Sequence, residues 1–359
     1  MTTIDQQPAL DPAKLEQFVF RAVEEVGATV NAALVVMGDR LGLYRAMAGA
    51  GALTPGEIAA RTGTAERYVR EWLNAQAAGG YVAYHPESER YSLPPEQAVA
   101  LTEADSPAFL PGFFEIALGS VLDAPRIIDA ARSGTGVGWH EHNEHVHDGC
   151  ERFFRTGYHA NLVESWLPAL DGVVARLQAG ASVADVGCGH GASTILMAGA
   201  FPDATFTGSD YHAGSIETAR ERAREAGVSD RVSFETAPAA AYRGAGFDLV
   251  TMFDCLHDMG DPVGAARHVR STMAAEGTWM IVEPAAGDRV EDNLNPIGRT
   301  YYGFSTLLCT PASLSQDVGL ALGAQAGPAR IGAVVEEAGF GRFRTAAETP
   351  FNLVFEARA

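Results

Sequence analysis

Lysine is almost absent from this sequence of 359 residues, in which Lys14 is the only one. Lysine and arginine together number 26 against 45 acidic residues, so the chain carries a formal charge of −19. Binding to the phosphates of nucleic acid, or to an anionic membrane surface, needs clustered positive charge. The shortage of basic residues therefore disfavours both kinds of partner.

Paired cysteines are also missing, because Cys150, Cys188, Cys255 and Cys309 lie far apart and form no C-x-x-C motif. This excludes a zinc knuckle and a disulfide framework and is typical of a reducing cytoplasm. No apolar run reaches the roughly 18 residues that a membrane helix needs, and the N-terminal residues do not show a signal-peptide pattern. We therefore expect a soluble cytoplasmic protein.

The first part of the chain shows a pattern of helix, turn, helix and hairpin. Thr54 and Glu57 have the spacing of a capping box at the start of one helix, and a second helix is predicted over 64–76. A polar turn in 81–93 separates two short apolar stretches that predict a hairpin. This pattern predicts a winged-helix domain over 1–100.

A winged helix usually binds DNA through its second helix. Here Arg67 and Arg70 of that helix are balanced by Glu66 and Glu71. Together with the negative charge of the chain, this balance favours a dimerisation and capping role over DNA binding. We therefore expect a homodimer formed through this domain, and a winged-helix transcriptional regulator remains the alternative of another class.

Residues 101–180 are predicted to be a helical connector that lines the substrate pocket. In this segment a helix is expected to begin at Arg152, and it carries Phe154 and Tyr158, which are candidates to cover the ligands.

A dense histidine cluster lies in the same connector, with His140, His142, His145 and His147 close in sequence. Such a cluster is compatible with a transition-metal site. It is equally compatible with a polar loop of hydrated histidines, and it shows no H-E-x-x-H motif. We therefore expect no metal. A further possibility is that one of these residues, or His159, enters the substrate pocket from the connector.

Residues 181–359 alternate between predicted strands and helices, which is typical of a parallel α/β sheet. The predicted strands are 182–186, 205–209, 232–236, 248–253 and 278–282, followed by 343–345 and 352–356.

The most informative stretch is a glycine-rich loop after the first of these strands. Gly187, Gly189 and Gly191 allow a tight turn and a close approach of a ligand, and the free amides of the next helix favour a negatively charged group. Asp210 ends the second strand, where a carboxylate suits the hydroxyls of a ribose. The combination predicts a nucleotide-type cofactor.

Two cofactors compete for this loop. Gly187, Gly189 and Ala192 also satisfy the dinucleotide pattern G-x-G-x-x-G/A. Gly191 and the acid Asp185, two residues before the first glycine, fit better with S-adenosylmethionine. In that case Asp185 helps to position the ammonium group of the cofactor, directly or through water.

Four motifs carry a resemblance to a known family: DVGCGHG (185–191), GSDYH (208–212), FDLVTMFDCLHDMGDP (247–262) and GTWMIVEP (277–284). The stretch 181–283 resembles class I S-adenosylmethionine-dependent methyltransferases. With the winged helix, nearly the whole chain is similar to bacterial small-molecule methyltransferases of the O-methyltransferase architecture, and especially to an actinobacterial group. The resemblance implies an α/β, Rossmann-like seven-stranded sheet with the order 3-2-1-4-5-7-6 over 181–359.

The resemblance also implies a set of residues that bind S-adenosylmethionine. These are Asp185, Gly187, Cys188, Gly189, Gly191, Asp210, Tyr211, Phe253 and Asp254. One departure from the family concerns the acid after the third strand that often holds the adenine amino group, because Pro238 stands there. The adenine is then held by backbone near Ala237 and Ala239, by packing, or by Glu235.

The reacting centre is expected where the fourth strand ends. His257 is the candidate base that deprotonates a hydroxyl, with Asp258 beside it and Glu283 placed to orient it or to face substrate. The alternatives are that His257 only supports the following helix or lines the pocket, and that Glu283 is structural.

A long insertion, 288–327, follows the fifth strand and is expected to be a lid or binding loop. Its Arg299 and Tyr302 are candidates for the substrate pocket, although core packing explains its aromatic residues equally well. The predicted function is methyl transfer to the oxygen of a small-molecule acceptor. Methylation at carbon, nitrogen or sulfur, with His257 only orienting the acceptor, is the alternative.

Overall fold

The computed structural model describes residues 10–359. The chain divides into two compact units, of which the first comprises residues up to Ala104 with Ala108–Glu115, and the second comprises Asp105–Pro107 with Ile116–Ala359. The elements of the first unit are α1 (Pro12–Arg40), α2 (Leu43–Met47), α3 (Pro55–Thr62), α4 (Glu66–Ala78), β1 (Ala83–His85), β2 (Arg90–Ser92) and α5 (Pro95–Thr102). Helix α6 (Pro111–Ser133) begins in the first unit and continues into the second.

The predicted capping box at the start of α3 is present. The Thr54 hydroxyl accepts a hydrogen bond from the Glu57 amide, and the Glu57 carboxylate accepts one from the Thr54 amide at 2.7 Å. The hairpin pairs Ala83 with Ser92 and His85 with Arg90. Its strands reach further into the turn than predicted, because the polar residues at both ends of that turn also join the ladder.

The second unit holds seven strands and most of the remaining helices. Its helices are α7 (Glu144–Asn161), α8 (Val173–Gln178), α9 (Ala192–Ala200), α10 (Ala213–Glu225), α11 (Pro262–Thr272), α12 (Pro296–Phe304), α13 (Thr310–Leu314) and α14 (Gly327–Glu337). Its strands are β3 (Ser182–Val186), β4 (Thr205–Asp210), β5 (Val232–Thr236), β6 (Phe247–Phe253), β7 (Met273–Pro284), β8 (Arg342–Glu348) and β9 (Asn352–Arg358).

The seven strands form one sheet with the order β5-β4-β3-β6-β7-β9-β8. The first five are parallel, and β9 runs antiparallel between β7 and β8. This confirms the predicted order, including the reversed strand near the sheet edge. Since the parallel strands end at a common edge, the residues that follow β3, β4 and β6 converge there.

Helix α7 begins earlier than predicted. The side chain of Asn143 accepts a hydrogen bond from the His145 amide at 3.0 Å and so caps the helix before Glu144. The prediction placed this start at Arg152 because the histidines were assigned to a loop. Among residues 10–359, no helix is long and apolar enough to cross a membrane.

Candidate active site

A cavity of about 500 Å³ lies at the edge of the sheet where β3, β4 and β6 end. Its walls come from the glycine loop after β3, the residues after β4 and β6, and one side of α7. The predicted residues that line it are Gly187, Cys188, Gly189, Asp210, Tyr211, Phe253, Asp254, Asp258, Phe154 and Tyr158. The structure therefore brings together most of the predicted cofactor set.

Two glycines of the loop are required for different reasons. At Gly187 the backbone has a φ of +76°, and a Cβ would lie 2.8 Å from the Cys255 sulfur, so a side chain does not fit. At Gly189 φ is +51°, and a Cβ would meet no protein atom within 4 Å. The open space above Gly189 leaves room for a ligand to approach the backbone, which is the fit that a nucleotide-type cofactor needs.

Asp210 lies at the end of β4 and lines the cavity. Its carboxylate accepts hydrogen bonds from the amides of Gly189 at 3.0 Å and His212 at 2.8 Å. Burial raises the pKa of Asp210, while these two amides oppose the rise. The two amides fix the carboxylate against the loop, in the orientation that suits ribose hydroxyls.

Asp185 lies behind the loop and is not among the residues that line the cavity. Its carboxylate accepts hydrogen bonds from the hydroxyls of Ser193 at 2.7 Å, Thr194 at 2.6 Å and Thr251 at 2.9 Å. Only 1% of the residue is exposed. Asp185 therefore ties α9 and β6 to the end of β3. Its burial disfavours a direct contact with a cofactor ammonium and leaves positioning through water as the other predicted alternative.

The expected adenine end contains Ala237, Pro238 and Ala239, which all line the cavity. Glu235 does not line it, because this side chain turns back to accept a hydrogen bond from the Arg243 amide at 2.6 Å. Of the alternatives for holding the adenine, backbone groups and packing are the ones that the geometry supports. Gly191 starts α9 and packs against Phe234, away from the lining.

His257 lies beneath the cavity and is not one of its lining residues. Its Nδ1 lies 2.5 Å from the Glu283 carboxylate, and its Nε2 lies 3.2 Å from Asp258 Oδ1 as an ion pair. The His257 and Glu283 side chains are each 4% exposed, whereas that of Asp258 is 19% exposed. Asp258 is therefore the member of this group that lines the cavity, whereas Glu283 contacts His257 Nδ1 and does not line it.

The burial of this group, together with its charges, shifts the pKa values of His257 and Asp258. Burial alone lowers the pKa of His257, but the charges of Asp258 and Glu283 outweigh it and hold this pKa well above its usual range. Burial raises the pKa of the Asp258 carboxyl, although His257 opposes the rise. A carboxylate with a raised pKa is a stronger proton acceptor than an ordinary one. The imidazole is then a charged partner of two carboxylates.

Asp254 follows β6 and has an unusual backbone for a residue other than glycine, with φ at +49°. The Asp254 amide donates to the Val282 carbonyl at 2.7 Å, and Oδ1 accepts from the Asn352 side chain at 3.0 Å. Its other oxygen, Oδ2, is buried and has no hydrogen-bond partner among the described residues. The residue lines the same cavity as Asp258.

The predicted substrate-pocket residues divide into two pairs. Phe154 and Tyr158 of α7 line the cavity, and the Tyr158 ring lies 5.1 Å from that of Phe253. Arg299 and Tyr302 of α12 do not line it. This corrects the prediction for the second pair, because α12 buries Gly298 and Tyr301, which leaves Arg299 on the exposed side and Tyr302 only partly covered.

Helix α7 contributes further cavity residues, and the sequence analysis missed one of them, Glu151. His147, Cys150 and Glu151 line the cavity together with Phe154 and Tyr158. Their spacing of three or four residues is that of one helix face, so the helical period carried this signal. Met259, Ala312 and Gln316 also line the cavity, and no local pattern marks them.

The histidine cluster is not a hydrated loop, because two of its members lie in α7 and a third is buried. His142 is 5% exposed, and its Nδ1 lies 2.9 Å from Asp123 Oδ2. The rings of His140 and His147 both lie at the cavity wall, where His140 meets Tyr211 edge to face. His142 and His147 are neighbours that both pack edge to face on the Trp139 ring.

A different group has metal-ligand spacing. Ligand atoms of His257, Asp258 and Cys309 lie within 4.8 Å of one another, which is close enough to share a metal ion. In the structure His257 and Asp258 form ion pairs with each other and with Glu283. We therefore describe the group as a network of protein side chains.

Comparison with known proteins agrees with this architecture. Residues 29–103 match the Rv2258c-like winged HTH domain, and residues 177–314 match a methyltransferase domain. The 27-O-demethylrifamycin SV methyltransferase of Amycolatopsis mediterranei is 36% identical over 143 residues, which are 39% of this chain and 44% of that relative. The chain thus matches less than half of the length of that relative.

Two solved structures have the same fold over nearly the whole chain. The mitomycin 7-O-methyltransferase MmcR is similar with a TM-score of 0.71 at 20% identity, covering 97% of this chain and 100% of that one. Human N-acetylserotonin methyltransferase, solved with S-adenosylmethionine, is similar with a TM-score of 0.67 at 16% identity, covering 100% and 99%. The chain therefore joins an Rv2258c-like winged HTH domain to a methyltransferase domain, on the fold that these methyltransferase structures share.

Proposed function

We propose that this protein transfers a methyl group from S-adenosylmethionine to a hydroxyl of a small molecule. The observation that carries the proposal is one cavity in which a nucleotide-type loop with Asp210 meets Asp258, a carboxylate able to accept a proton. The matched methyltransferase domain and the relative that methylates an oxygen of demethylrifamycin support it.

In this proposal the loop and the ends of β4 and β6 hold the cofactor. Asp210 accepts hydrogen bonds from the ribose hydroxyls. The backbone of Gly187 and Gly189 lies along the methionine part, and the segment around Pro238 packs on the adenine. Bound S-adenosylmethionine supplies a methyl group attached to a positively charged sulfur, and this sulfur keeps the electron pair of the C–S bond when the methyl group is transferred. The protein therefore has to align the acceptor and take one proton.

Asp258 is the group that takes this proton from the acceptor hydroxyl. The O–H bond breaks, its proton moves to the Asp258 carboxylate, and the oxygen lone pair forms the new O–CH₃ bond. His257, held by Glu283, acts through Asp258 as a charged partner and keeps the carboxylate aimed at the cavity. Phe154 and Tyr158 supply apolar walls that exclude water from the reacting atoms.

Calorimetry with S-adenosylhomocysteine and with NAD tests the cofactor, because the loop satisfies both patterns. We expect binding of S-adenosylhomocysteine and none of NAD, and the opposite result refutes the proposal. A screen of phenols, amines and thiols with isotopically labelled S-adenosylmethionine then tests the acceptor atom. Label on amines or thiols alone would establish nitrogen or sulfur as the acceptor and refute methyl transfer to oxygen.

We propose that the winged helix does not act on DNA. On α4, Arg67 pairs with Glu71 and Arg70 with Glu66, so each of these cations is neutralised one turn away. The expected result of a mobility shift with genomic fragments is no specific complex. A specific complex at moderate salt would favour the regulator alternative.

We further propose that α1 pairs with α1 of a second copy. Along this helix seven apolar side chains are between 47% and 66% exposed: Leu15, Phe18, Val19, Phe20, Val23, Val26 and Val30. Exposed apolar surface of this extent marks an interaction site. The same stripe on two copies is self-complementary, as a two-fold interface requires.

Val23→Glu is expected to convert the dimer to a monomer in sedimentation equilibrium, because it places a charge in the centre of the stripe. Val290→Glu is the matched control, since Val290 is a valine outside α1 that is also 62% exposed. A wild-type protein that sediments as a monomer, or a dimer that Val23→Glu leaves intact, contradicts this pairing.

A further inference from the structure

The cavity lining contains several acids but no cation of fixed charge. Its acidic members are Glu151, Asp210, Asp254 and Asp258, and none of its described residues is lysine or arginine. Glu151 is already engaged by Arg222 at 2.7 Å. The walls therefore offer nothing permanently positive to a carboxylate or a phosphate on the acceptor.

Two of the three histidines of the lining, His147 and His190, do not supply the missing charge. Burial lowers the pKa of His147, and the neighbouring His142 lowers it further. Burial likewise lowers the pKa of His190, with Arg222 acting in the same direction. At neutral pH both rings are therefore uncharged.

Asp254 presents an oxygen that lacks a donor. Oδ1 is held by Asn352, whereas Oδ2 is buried without a hydrogen-bond partner in the described chain. Burial, and then the charge of Glu283, hold the pKa of the Asp254 carboxyl well above its usual range. A buried carboxyl oxygen without a hydrogen-bond partner is costly, and such an oxygen at a cavity points to a ligand that pairs with it. The left-handed backbone at φ +49° is a further cost that sites of function retain.

Asp254 and Asp258 line the same cavity, and in the proposed function the acceptor lies beside Asp258. The Cys150 thiol of α7 has its pKa raised first by burial and then by the charges of Asp258, Cys309 and Asp254. Asp254 also raises the pKa of Tyr301, after burial. None of these groups belongs to the glycine loop or to Asp210.

We propose that Asp254 is an acceptor-binding residue, and that the acceptor is an uncharged molecule with at least two hydrogen-bond donors. Its reacting hydroxyl meets Asp258, and a second donor meets Asp254 Oδ2. A carboxylate or phosphate group on the acceptor is disfavoured, because it would face the acidic side chains of the lining, which contains no lysine or arginine to pair with it. This inference rests on the proposed function and specifies the acceptor of the same site.

The test uses the wild-type protein and Asp254→Asn, both saturated with S-adenosylhomocysteine. Asparagine keeps the size of the side chain and tolerates the left-handed backbone. Its oxygen remains on Asn352, so an NH₂ group replaces Oδ2 and faces the donor of the ligand. The probes for calorimetry are a naphthalenediol and the same diol carrying a carboxylate.

We expect the diol to bind the wild-type complex and the carboxylated diol to bind at least about tenfold more weakly. Asp254→Asn is expected to weaken the binding of the diol by about tenfold, because the buried second donor of the diol would then face an NH₂ group and lack an acceptor. The affinity of this variant for S-adenosylhomocysteine should equal that of wild type, with Asp210→Asn as the variant that lowers it.

Three results overturn the inference. They are equal or tighter binding of the carboxylated diol, no binding of the diol itself, and a loss of S-adenosylhomocysteine affinity in Asp254→Asn, which would make Asp254 a cofactor residue. Failure of the proposed function is distinguishable, because the diol would then bind as expected while labelled S-adenosylmethionine transfers no methyl group to any acceptor of the screen.

Discussion

Replacing Asp258 with asparagine is expected to lower the turnover number by about 10²- to 10⁴-fold, the range for removing a general base. The amide keeps the shape of the side chain but does not accept the proton of the acceptor hydroxyl. The affinity for S-adenosylhomocysteine should stay at the wild-type value, because Asp258 lies at the acceptor end. Single-turnover kinetics with labelled S-adenosylmethionine, together with calorimetry, measures both quantities.

Asp261→Asn is the matched control for this variant. Asp261 caps α11 by accepting a hydrogen bond from the Gly264 amide at 2.8 Å, and asparagine caps a helix equally well. The control makes the same chemical change three residues away and should keep wild-type turnover. If Asp258→Asn also keeps wild-type turnover, Asp258 is not the proton acceptor.

The pH dependence of turnover follows from the same group. Asp258 is active as a carboxylate, and burial raises its pKa, so activity should fall with decreasing pH at a value above the ordinary Asp pKa of about 3.9. The pKa of His257 is also raised, so its charge is lost only at alkaline pH. Glu283→Gln removes one of the charges that raise this pKa, so the charge of His257 should be lost at a lower pH than in the wild-type protein.

The parallel half of the fold could be predicted because its signals are local. The strands carry buried apolar residues either in short runs, as in β3, or in alternation with polar ones, as in β5, and the glycine loop follows β3 at Gly187. The strand order came from the resemblance, and no run of residues encodes it. The predicted strand ends differ most from the structure. For example, β7 extends over Met273–Pro284, whereas 278–282 was predicted.

The depth of His257 could not be predicted in the same way. Residues Leu256–Asp258 form one 3₁₀ turn, which has three residues per turn. Neighbours in such a turn point about 120° apart, so one of them faces the cavity while the next faces the core. The spacing after the strand indicates that an acid and a histidine lie at the crevice, but only the turn decides that Asp258 lines it.

Contacts between segments that are distant in sequence account for the remaining differences between the predicted and the observed site. Asp185 is occupied by hydroxyls from α9 and from Thr251 of β6, and this match depends on how the helix and the strand pack. Cys309 reaches the His257 network at the end of a π-helical turn, Ser305–Cys309, which the helical period of the sequence does not reveal. Such turns often occur at functional sites.

The largest expected effect on binding comes from Asp210→Ala. In the proposed function this carboxylate accepts hydrogen bonds from two ribose hydroxyls. A hydrogen bond to a charged group contributes about 1.5–3 kcal/mol. Loss of both hydrogen bonds should weaken the binding of S-adenosylhomocysteine by about 10²-fold or more. The amides of Gly189 and His212 also lose their acceptor, which loosens the loop that lies along the cofactor.

Asp203→Ala is the control for that experiment, because it makes the same chemical change outside the cavity. Asp203 is exposed in the turn before β4. Asp210→Asn keeps one accepting oxygen and should fall between wild type and Asp210→Ala. Thermal unfolding followed by circular dichroism shows whether each variant is folded. A folded Asp210→Ala with undiminished affinity for S-adenosylhomocysteine removes Asp210 from the cofactor site, because the carboxylate would then hold only the amides of its own loop.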